Sequence, residues 1–385
     1  MTRSHHWRAG GRASNGALPP ARRRRRGGLY AALLVLALVA AGGADVAVLS
    51  SRPQRVDVTM PTAMPPATPS PGSSPDSAQD GQQPEQTWLV LGVDSRETLP
   101  EGPDHYGSAS EVPGSRADVL ALVQPRQGGL TVLTLPRDLV LLDADGSMER
   151  LATSYLSGPQ RTVDLLCQGL GVATTHLVVL DMAQFAAVID SLGGLEVEVP
   201  EPVRDSYTGL NLTSAGRQRL SGSQALALVR SRHPEVLREE TWTALSPQEG
   251  KERRDESTTT VMTATLSAVR DQARTPWGAH RLAHELASHL TLDTGTGATG
   301  MLSLARTLAS AHDTGHDHGA RHDDTRAQAG HGLEVVDVPV SEADTGQNQD
   351  SPGNDASIVA FADDTTKEVL ARHGHSPGSC TTGSR

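Results

Sequence analysis

Three stretches decide the fold: WLVLGVDSR over Trp88–Arg96, SRADVLALV over Ser115–Val123 and LTVLTLPRD over Leu130–Asp138. Each joins an apolar run of strand length to charge at one end. Trp88 to Val93, Val119 to Val123 and Leu130 to Leu135 are nearly continuous in apolar character, which predicts strands covered on both faces. The Gly- and Pro-rich segment 97–114 reads as an exposed loop, and Gly128 and Gly129 form the turn between the second and third strands. Pro136 ends the third strand and sets the exit of Arg137. Paired in one sheet, these runs gather Asp94 with Arg96, Arg116 with Asp118, and Arg137 with Asp138 at its rim. Carboxylates beside several guanidiniums suit a divalent cation and a phosphorylated ligand, because hard oxygens hold Mg²⁺ and Arg forks pair with phosphate oxygens.

Downstream, strand and helix patterns alternate. Helical spacing runs from Thr162 to Gly169, a strand from His176 to Leu180, and a helix from Met182 to Leu192 that Gly193 and Gly194 terminate. Leu195 to Val199 alternates as a short strand. Ser221 is the expected N-cap of a helix through Val229, with Arg230 and Arg232 at its C-terminal end. Those two arginines point the same way only if the helix unwinds at Arg230. A long helix is expected from Arg253 to Ala273, then helices at Trp277–Leu290 and Gly300–Ala311, a strand at Leu333–Val338 and a closing helix at Thr365–His373. The pattern predicts an α/β layered fold, with a sheet that is mixed because it begins as a meander.

Upstream, Arg22 to Arg26 precede an uncharged apolar run, Leu29 to Ala44, extendable to Leu49. That is long enough to span a bilayer, which takes about 20 helical residues, and the basic end stays cytoplasmic, so the body lies outside the cell. A retained anchor and a cleaved signal peptide both fit; the length of the run favours the anchor. The Pro-, Ser- and Thr-rich segment 50–86 reads as a flexible spacer. The expected division is a basic tail over 1–28, a membrane helix over 29–49, the spacer over 50–86, a folded domain over 87–373 with a His- and Asp-rich insertion at 312–331, and a tail over 374–385.

Residues 1–30 hold eight Arg and no acid, so the remainder carries 26 basic against 45 acidic side chains. That balance argues against a nucleic-acid-binding body, which needs an electropositive face. Lys251 and Lys367 are the only lysines; the Arg bias fits a high-G+C genome as well as phosphate binding. Cys167 and Cys380 either form a disulfide in an oxidising compartment or stand as unrelated thiols, since spacing does not show whether they approach. His284, Glu285 and His289 lack the four-residue histidine spacing of a zinc-protease helix, and His280 with His284 reads as exposed imidazoles. No GxSxG, CxxC or phosphate-cradling Gly loop is present, which removes support for serine hydrolase, redox and nucleotide chemistry.

The order of landmarks resembles the LytR-CpsA-Psr family of membrane-anchored cell-envelope proteins over about Thr87 to Arg372. The carriers are LVLGVDSR, SRADVLALV, LTLPRD, MERLATSYLSGP, VVLDMAQFAAVIDSLGGLEVEVP, LSGSQALALVRSRHPE and a degenerate GKERRDES. The resemblance implies an α/β/α sandwich with a central mixed sheet and an apolar lipid groove. It implies a phosphotransferase that moves a glycan phosphate from a polyprenyl-pyrophosphate carrier to a peptidoglycan hydroxyl. Carried over by motif, Asp94 and Asp118 hold Mg²⁺, Asp94 and Arg116 act on the reacting groups, and Arg96, Arg137, Arg230, Arg232 and Arg254 surround the phosphates. Two other readings stand beside it: a noncatalytic regulator that binds polyprenyl phosphates or wall polymers, and a pyrophosphate hydrolase on the same carrier. The departures lie downstream. Arg150, Leu151 and Ala152 stand where the family has an Asn after a basic residue, Lys251 replaces an Arg, Asp255 replaces a Gln after Arg254, and an insertion runs from Glu235 to Glu249.

Overall fold

The computed structural model describes residues 47–64, 86–100, 113–126, 129–297, 299–301, 333–344 and 358–383, with 45, 110 and 303 in isolation. The chain divides into two compact units, Met1–Val48 and Leu49–Arg385. In the first, the described residues 45, 47 and 48 are helical. Among the described residues no helix is long and apolar enough to cross a membrane; the expected membrane run lies almost wholly outside them, as does the insertion at 312–331.

The second unit is built on a seven-stranded sheet in the order Gln54–Val56, Thr291–Asp293, His176–Leu180, Trp88–Val93, Ala117–Arg126, Gly129–Leu135, Leu333–Asp337. The three deciding stretches form its antiparallel meander. Parallel pairing of Trp88–Val93 with His176–Leu180, and of Gly129–Leu135 with Leu333–Asp337, makes the sheet mixed, as the sequence predicts.

Alternation along these strands feeds two cores. Leu89, Leu91, Leu120, Leu122, Leu133 and Leu177 pack on one face against Val163, Leu166 and Leu170 of helix Pro159–Leu170 and Leu370 of helix Asp364–Arg372. Trp88, Ala121, Val123, Val132 and Val178 form the other face, against the half-buried Met262 and Leu266 of the long helix Pro247–Ala273. Layers of helix therefore cover both faces, which is why the central strands read as unbroken apolar runs. A third core joins Ile189, Leu195, Val203, Leu228, Val236 and Val261, drawn from helices Met182–Ser191 and Gly222–Arg230, the long helix and two smaller sheets.

The folded unit is wider than residues 87–373. Gln54–Val56, placed by the sequence in a spacer, pairs in parallel with Thr291–Asp293, and the Arg55 guanidinium donates to the carbonyls of Asp293 (3.0 Å) and Thr296 (2.6 Å). Thr62–Ala63 pairs with Cys380–Thr381. Polar edge strands carry no apolar signal; their order comes from backbone pairing with distant partners. Residues 65–85 of the expected spacer lie outside the described set. The segment after 373 is likewise part of the fold. Cys380 is disulfide-bonded to Cys167, and Ser379 Oγ donates to the Gly171 carbonyl at 2.8 Å. Gly171 has φ +70°, and a Cβ there would meet the Ser376 carbonyl oxygen at 1.6 Å, so the C-terminal segment seats on a position only glycine can fill.

The region read as an insertion, Glu235 to Glu249, is a hairpin of Glu235–Arg238 and Thr241–Ala244 followed by the true start of the long helix. Ser246 caps that helix with a reciprocal Ser–Glu249 box, and Pro247 occupies its first turn.

Candidate functional site at the sheet rim

Strand register assembles the rim. The Asp94 backbone N–H donates to the Arg116 carbonyl at 3.0 Å, and the Arg116 N–H donates back to Asp94 Oδ1 at 2.5 Å. Arg96 folds onto the same residue, donating to the Asp94 carbonyl at 3.1 Å and to Oδ2 at 3.3 Å. On the neighbouring strand the pairing slips: Gly92 faces Val119 while Val93 faces Ala117. Asp118 is therefore the extra residue of a β-bulge, a device that re-aims a side chain away from the ladder.

The bulge turns Asp118 toward Arg137. Leu120 pairs with Leu135, so Asp118 and Arg137 each lie two residues beyond a matched pair, and Asp118 Oδ1 meets the Arg137 guanidinium at 2.5 Å. Arg137 Nε lies 3.5 Å from Asp138, whose other oxygen is 3.3 Å from Arg150. Burial alone would lower the Arg137 pKa, but the charges of Asp118 and Asp138, with their hydrogen bonds, outweigh it and the net shift is upward.

The second half of the rim comes from the end of helix Gly222–Arg230, which Ser221 caps through a reciprocal bond with Gln224. The helix stops at Arg230 and Ser231 is extended, with ψ 119°, the unwinding that Arg230 and Arg232 require in order to share a direction. Desolvation lowers the Arg232 pKa, the guanidiniums of Arg137 and Arg254 push it the same way, and Asp118 and Asp138 oppose them. Arg137, Arg232 and Arg254 thus share one electrostatic environment with Asp118 and Asp138. Asp94, Arg96 and Arg116 form an adjoining group, Asp94 and Arg96 just past the end of Trp88–Val93 and Arg116 just before Ala117–Arg126. Arg230 is half-buried at the helix end. The side chains of Lys251 and Asp255, where the sequence departs from the family motif, lie outside the described set.

Asp205, 1% exposed, is the positioning residue that sequence reading misses. Its Oδ2 accepts from Ser231 Oγ (2.7 Å), the Arg232 N–H (3.1 Å) and the His233 N–H (3.0 Å). Its Oδ1 accepts from the Tyr207 N–H at 2.9 Å. One buried carboxylate therefore fixes the turn that carries Arg232. The Val-Arg-Asp-Ser context looks like an ordinary turn, and only the pairing of Val203 with Val236 shows that Asp205 faces inward.

The donor set suits a hard cation. Asp94 and Asp118 offer carboxylate oxygens only, and two carboxylates plus ligand phosphates are the usual protein share of a Mg²⁺ shell. In the structure Asp94 is committed to Arg116 and Arg96, and Asp118 gives one oxygen to Arg137, so a cation would share or displace those contacts. His280 and His284 lie on one helical face with rings 4.7 Å apart, as the spacing implies.

A family model described as the LytR_cpsA_psr family matches residues 61–315. A solved structure described as a LytR-Csp2A-Psr enzyme from Actinomyces oris is 43% identical, with a TM-score of 0.63 over 86% of this chain and 99% of that one. A probable cell wall biosynthesis protein, LcpB of Corynebacterium glutamicum, is 30% identical over 38% of this chain and 36% of its own length. TagU of Bacillus subtilis, a polyisoprenyl-teichoic acid–peptidoglycan teichoic acid transferase, is 31% identical over 37% of this chain and 43% of its own. The chain spans less than half the length of either curated relative. The family match over most of the folded unit and the shared mixed α/β fold lead to one conclusion: this chain belongs to the LytR-CpsA-Psr family.

Proposed function

We propose that this protein is a wall-polymer transferase, which moves a phosphate-linked glycan from a polyprenyl-pyrophosphate carrier to a hydroxyl of peptidoglycan. The observation that carries the reading is the pair of ion contacts that holds Arg137 between Asp118 and Asp138 at the sheet rim, with the Arg232 and Arg254 guanidiniums in the same electrostatic field; guanidiniums so placed suit a pyrophosphate. The family membership and the names of TagU and LcpB support the class of reaction.

In this reading Arg137, Arg232 and Arg254, flanked by Arg96 and Arg230, hold the pyrophosphate. The acceptor hydroxyl forms a new bond to the glycan-bearing phosphorus, the bond from that phosphorus to the bridging oxygen breaks, and polyprenyl phosphate leaves. The hydroxyl proton passes to the Asp94 carboxylate. Arg116, tied to Asp94 through the backbone, faces the charge that grows on the phosphoryl oxygens; fixed cations matter more here than a strong nucleophile. Mg²⁺ held by Asp94 and Asp118 would neutralise charge on the pyrophosphate. The prenyl chain would lie on the partly exposed surface of Val90, Leu180, Met262 and Leu266, side chains that pack against the core between the sheet and the long helix. A cavity of about 40 Å³ beside Val197, Leu228 and Thr260 is too small for it. The apolar run before Leu49 serves as a membrane anchor that leaves the folded unit outside the cell.

Purified protein incubated with a polyprenyl-pyrophosphoryl glycan, Mg²⁺ and a peptidoglycan oligomer tests the proposal. Covalent transfer is the expected result. Carrier binding without turnover would identify a regulator instead, and release of glycan phosphate without transfer a hydrolase.

A further inference from the structure

The rim cations account for phosphate but leave a pair of aromatic rings next to Arg232 without a role. Tyr207 lies in the turn between Val203–Asp205 and Leu210–Leu212, and 71% of its surface is exposed. Its ring centroid is 4.8 Å from that of His233, with 46° between the planes. Single exposed aromatics are ordinary on protein surfaces. Two features set this pair apart.

The first is rigidity. Asp205 receives the Tyr207 N–H on one oxygen and the Arg232 and His233 N–H groups on the other. The turn carrying the phenol and the turn carrying the rim arginine are therefore held by one buried carboxylate, and the ring is pre-positioned relative to Arg232. Pre-ordering of this kind removes part of the entropy cost of binding.

The second is chemistry. His233 directly follows Arg232, so consecutive Cα atoms, about 3.8 Å apart, carry a phosphate-binding cation and an imidazole. The pair flanks the four-stranded sheet of 210–212, 203–205, 235–238 and 241–244, Tyr207 in the turn after 203–205 and His233 two residues before 235–238. The group bonded to the phosphate at its non-lipid end is a sugar. A pyranose has an apolar C–H face that packs on an aromatic ring, and equatorial hydroxyls that bond to polar ring edges. Tyrosine offers both surfaces at low entropy cost.

We propose that Tyr207 and His233 form a stacking platform for the pyranose attached to the transferred phosphate, with Asp205 as its positioning residue. This rests on the transferase reading, which supplies the phosphate-linked sugar. The platform would make the protein select its donor by the first sugar as well as by the lipid pyrophosphate.

The test measures binding of two probes to the full-length protein in detergent: a sugar-free polyprenyl pyrophosphate, and the same carrier bearing N-acetylglucosamine. The sugar should tighten binding about five- to tenfold, the range expected for one aromatic stacking contact. Tyr207→Ala should erase that gain and leave the affinity for the sugar-free carrier unchanged, whereas Tyr207→Phe should keep the gain. Thermal unfolding of Tyr207→Ala at the wild-type midpoint would show that the fold is intact, as its exposure predicts. Equal wild-type affinity for both probes, or a gain that survives Tyr207→Ala, overturns the platform and leaves the phosphate assignment standing. Failure of the wild type to bind either probe overturns both.

Discussion

Asp118 and Arg137 form a 2.5 Å ion pair across the ends of two antiparallel strands, brought together by a bulge in one and a proline at the end of the other. The pair makes Arg137 a partly neutralised cation before any ligand arrives. A pyrophosphate entering the rim must share Arg137 with Asp118, and a cation bound at Asp118 would free the guanidinium for phosphate. The two residues therefore have separable effects. Arg137→Ala should weaken binding of a sugar-free polyprenyl pyrophosphate by tenfold or more, since charged hydrogen bonds are worth about 1.5–3 kcal/mol. Asp118→Asn should leave that binding intact or tighten it at low salt, while abolishing Mg²⁺-dependent transfer. Calorimetric titration beside the transfer assay separates them. Undiminished transfer by Asp118→Asn would remove the metal role, and wild-type affinity in Arg137→Ala the phosphate role.

Asp205 joins the rim to the third core. Asp205→Ala would leave the Ser231 hydroxyl and three backbone N–H groups, those of Tyr207, Arg232 and His233, without their acceptor. Each unsatisfied buried donor costs about 1–3 kcal/mol, and partial rehydration of the turn offsets some of that. A loss of about 3 kcal/mol in unfolding free energy is expected. Asp205→Asn keeps an acceptor oxygen and should lose less stability, yet weaken carrier binding through a displaced Arg232. Denaturant unfolding of both variants, read beside carrier affinity, tests the clamp; a wild-type midpoint for Asp205→Ala would show that these bonds carry no weight.

How legible this was in the sequence depends on where each signal resides. Trp88–Val93, Ala117–Arg126 and Gly129–Leu135 could be read because burial on both faces leaves an unbroken apolar run. The start of the long helix is also written locally, as Ser246, Pro247 and Glu249, but these residues fall within Glu235 to Glu249, which the family pattern marks as an insertion. The hairpin of Glu235–Arg238 and Thr241–Ala244 turns through Glu239 (φ 49°) and Glu240 (φ 63°); left-handed glutamates replace the Asn-Gly or Gly-Gly signal that would have marked it. The Asp118 bulge and the inward direction of Asp205 are properties of register between strands. No local pattern in the sequence encodes them.

The disulfide between Cys167 and Cys380 closes a sequence separation of 213 residues. It ties the C-terminal segment to helix Pro159–Leu170. In the chain-entropy limit a loop of this size stabilises by about 5 kcal/mol, an upper figure because unfolded chains retain structure. The double variant Cys167→Ser with Cys380→Ser should unfold at clearly lower denaturant than the oxidised wild type. Reductant should lower the wild-type midpoint and leave that of the double variant where it is. Equal midpoints for the oxidised wild type and the double variant would show that the cross-link does not support the fold.

His375 gives the C-terminal segment a pH dependence. It is 1% exposed, and its Nε2 lies 2.6 Å from Gln124 Nε2. Arg126 donates to Gln124 Oε1 at 2.9 Å, which orients the amide so that its NH₂ faces the imidazole. His375 must therefore accept at Nε2, as only the neutral ring can. Burial, with His373 and Arg126 nearby, depresses its pKa to about 4. The unfolded chain titrates near the ordinary histidine value of about 6.5 and binds more protons than the native state between the two values. The stability His375 confers is thus complete above about pH 6.5 and is lost as pH falls toward 4, by at most about 3 kcal/mol. Gln124→Glu would replace the facing donor with an acceptor and raise the histidine pKa, so unfolding midpoints measured from pH 7 to 4 should fall less steeply in that variant. A wild-type profile that stays flat across the interval, or a Gln124→Glu profile of equal slope, would rule out His375 as the group responsible.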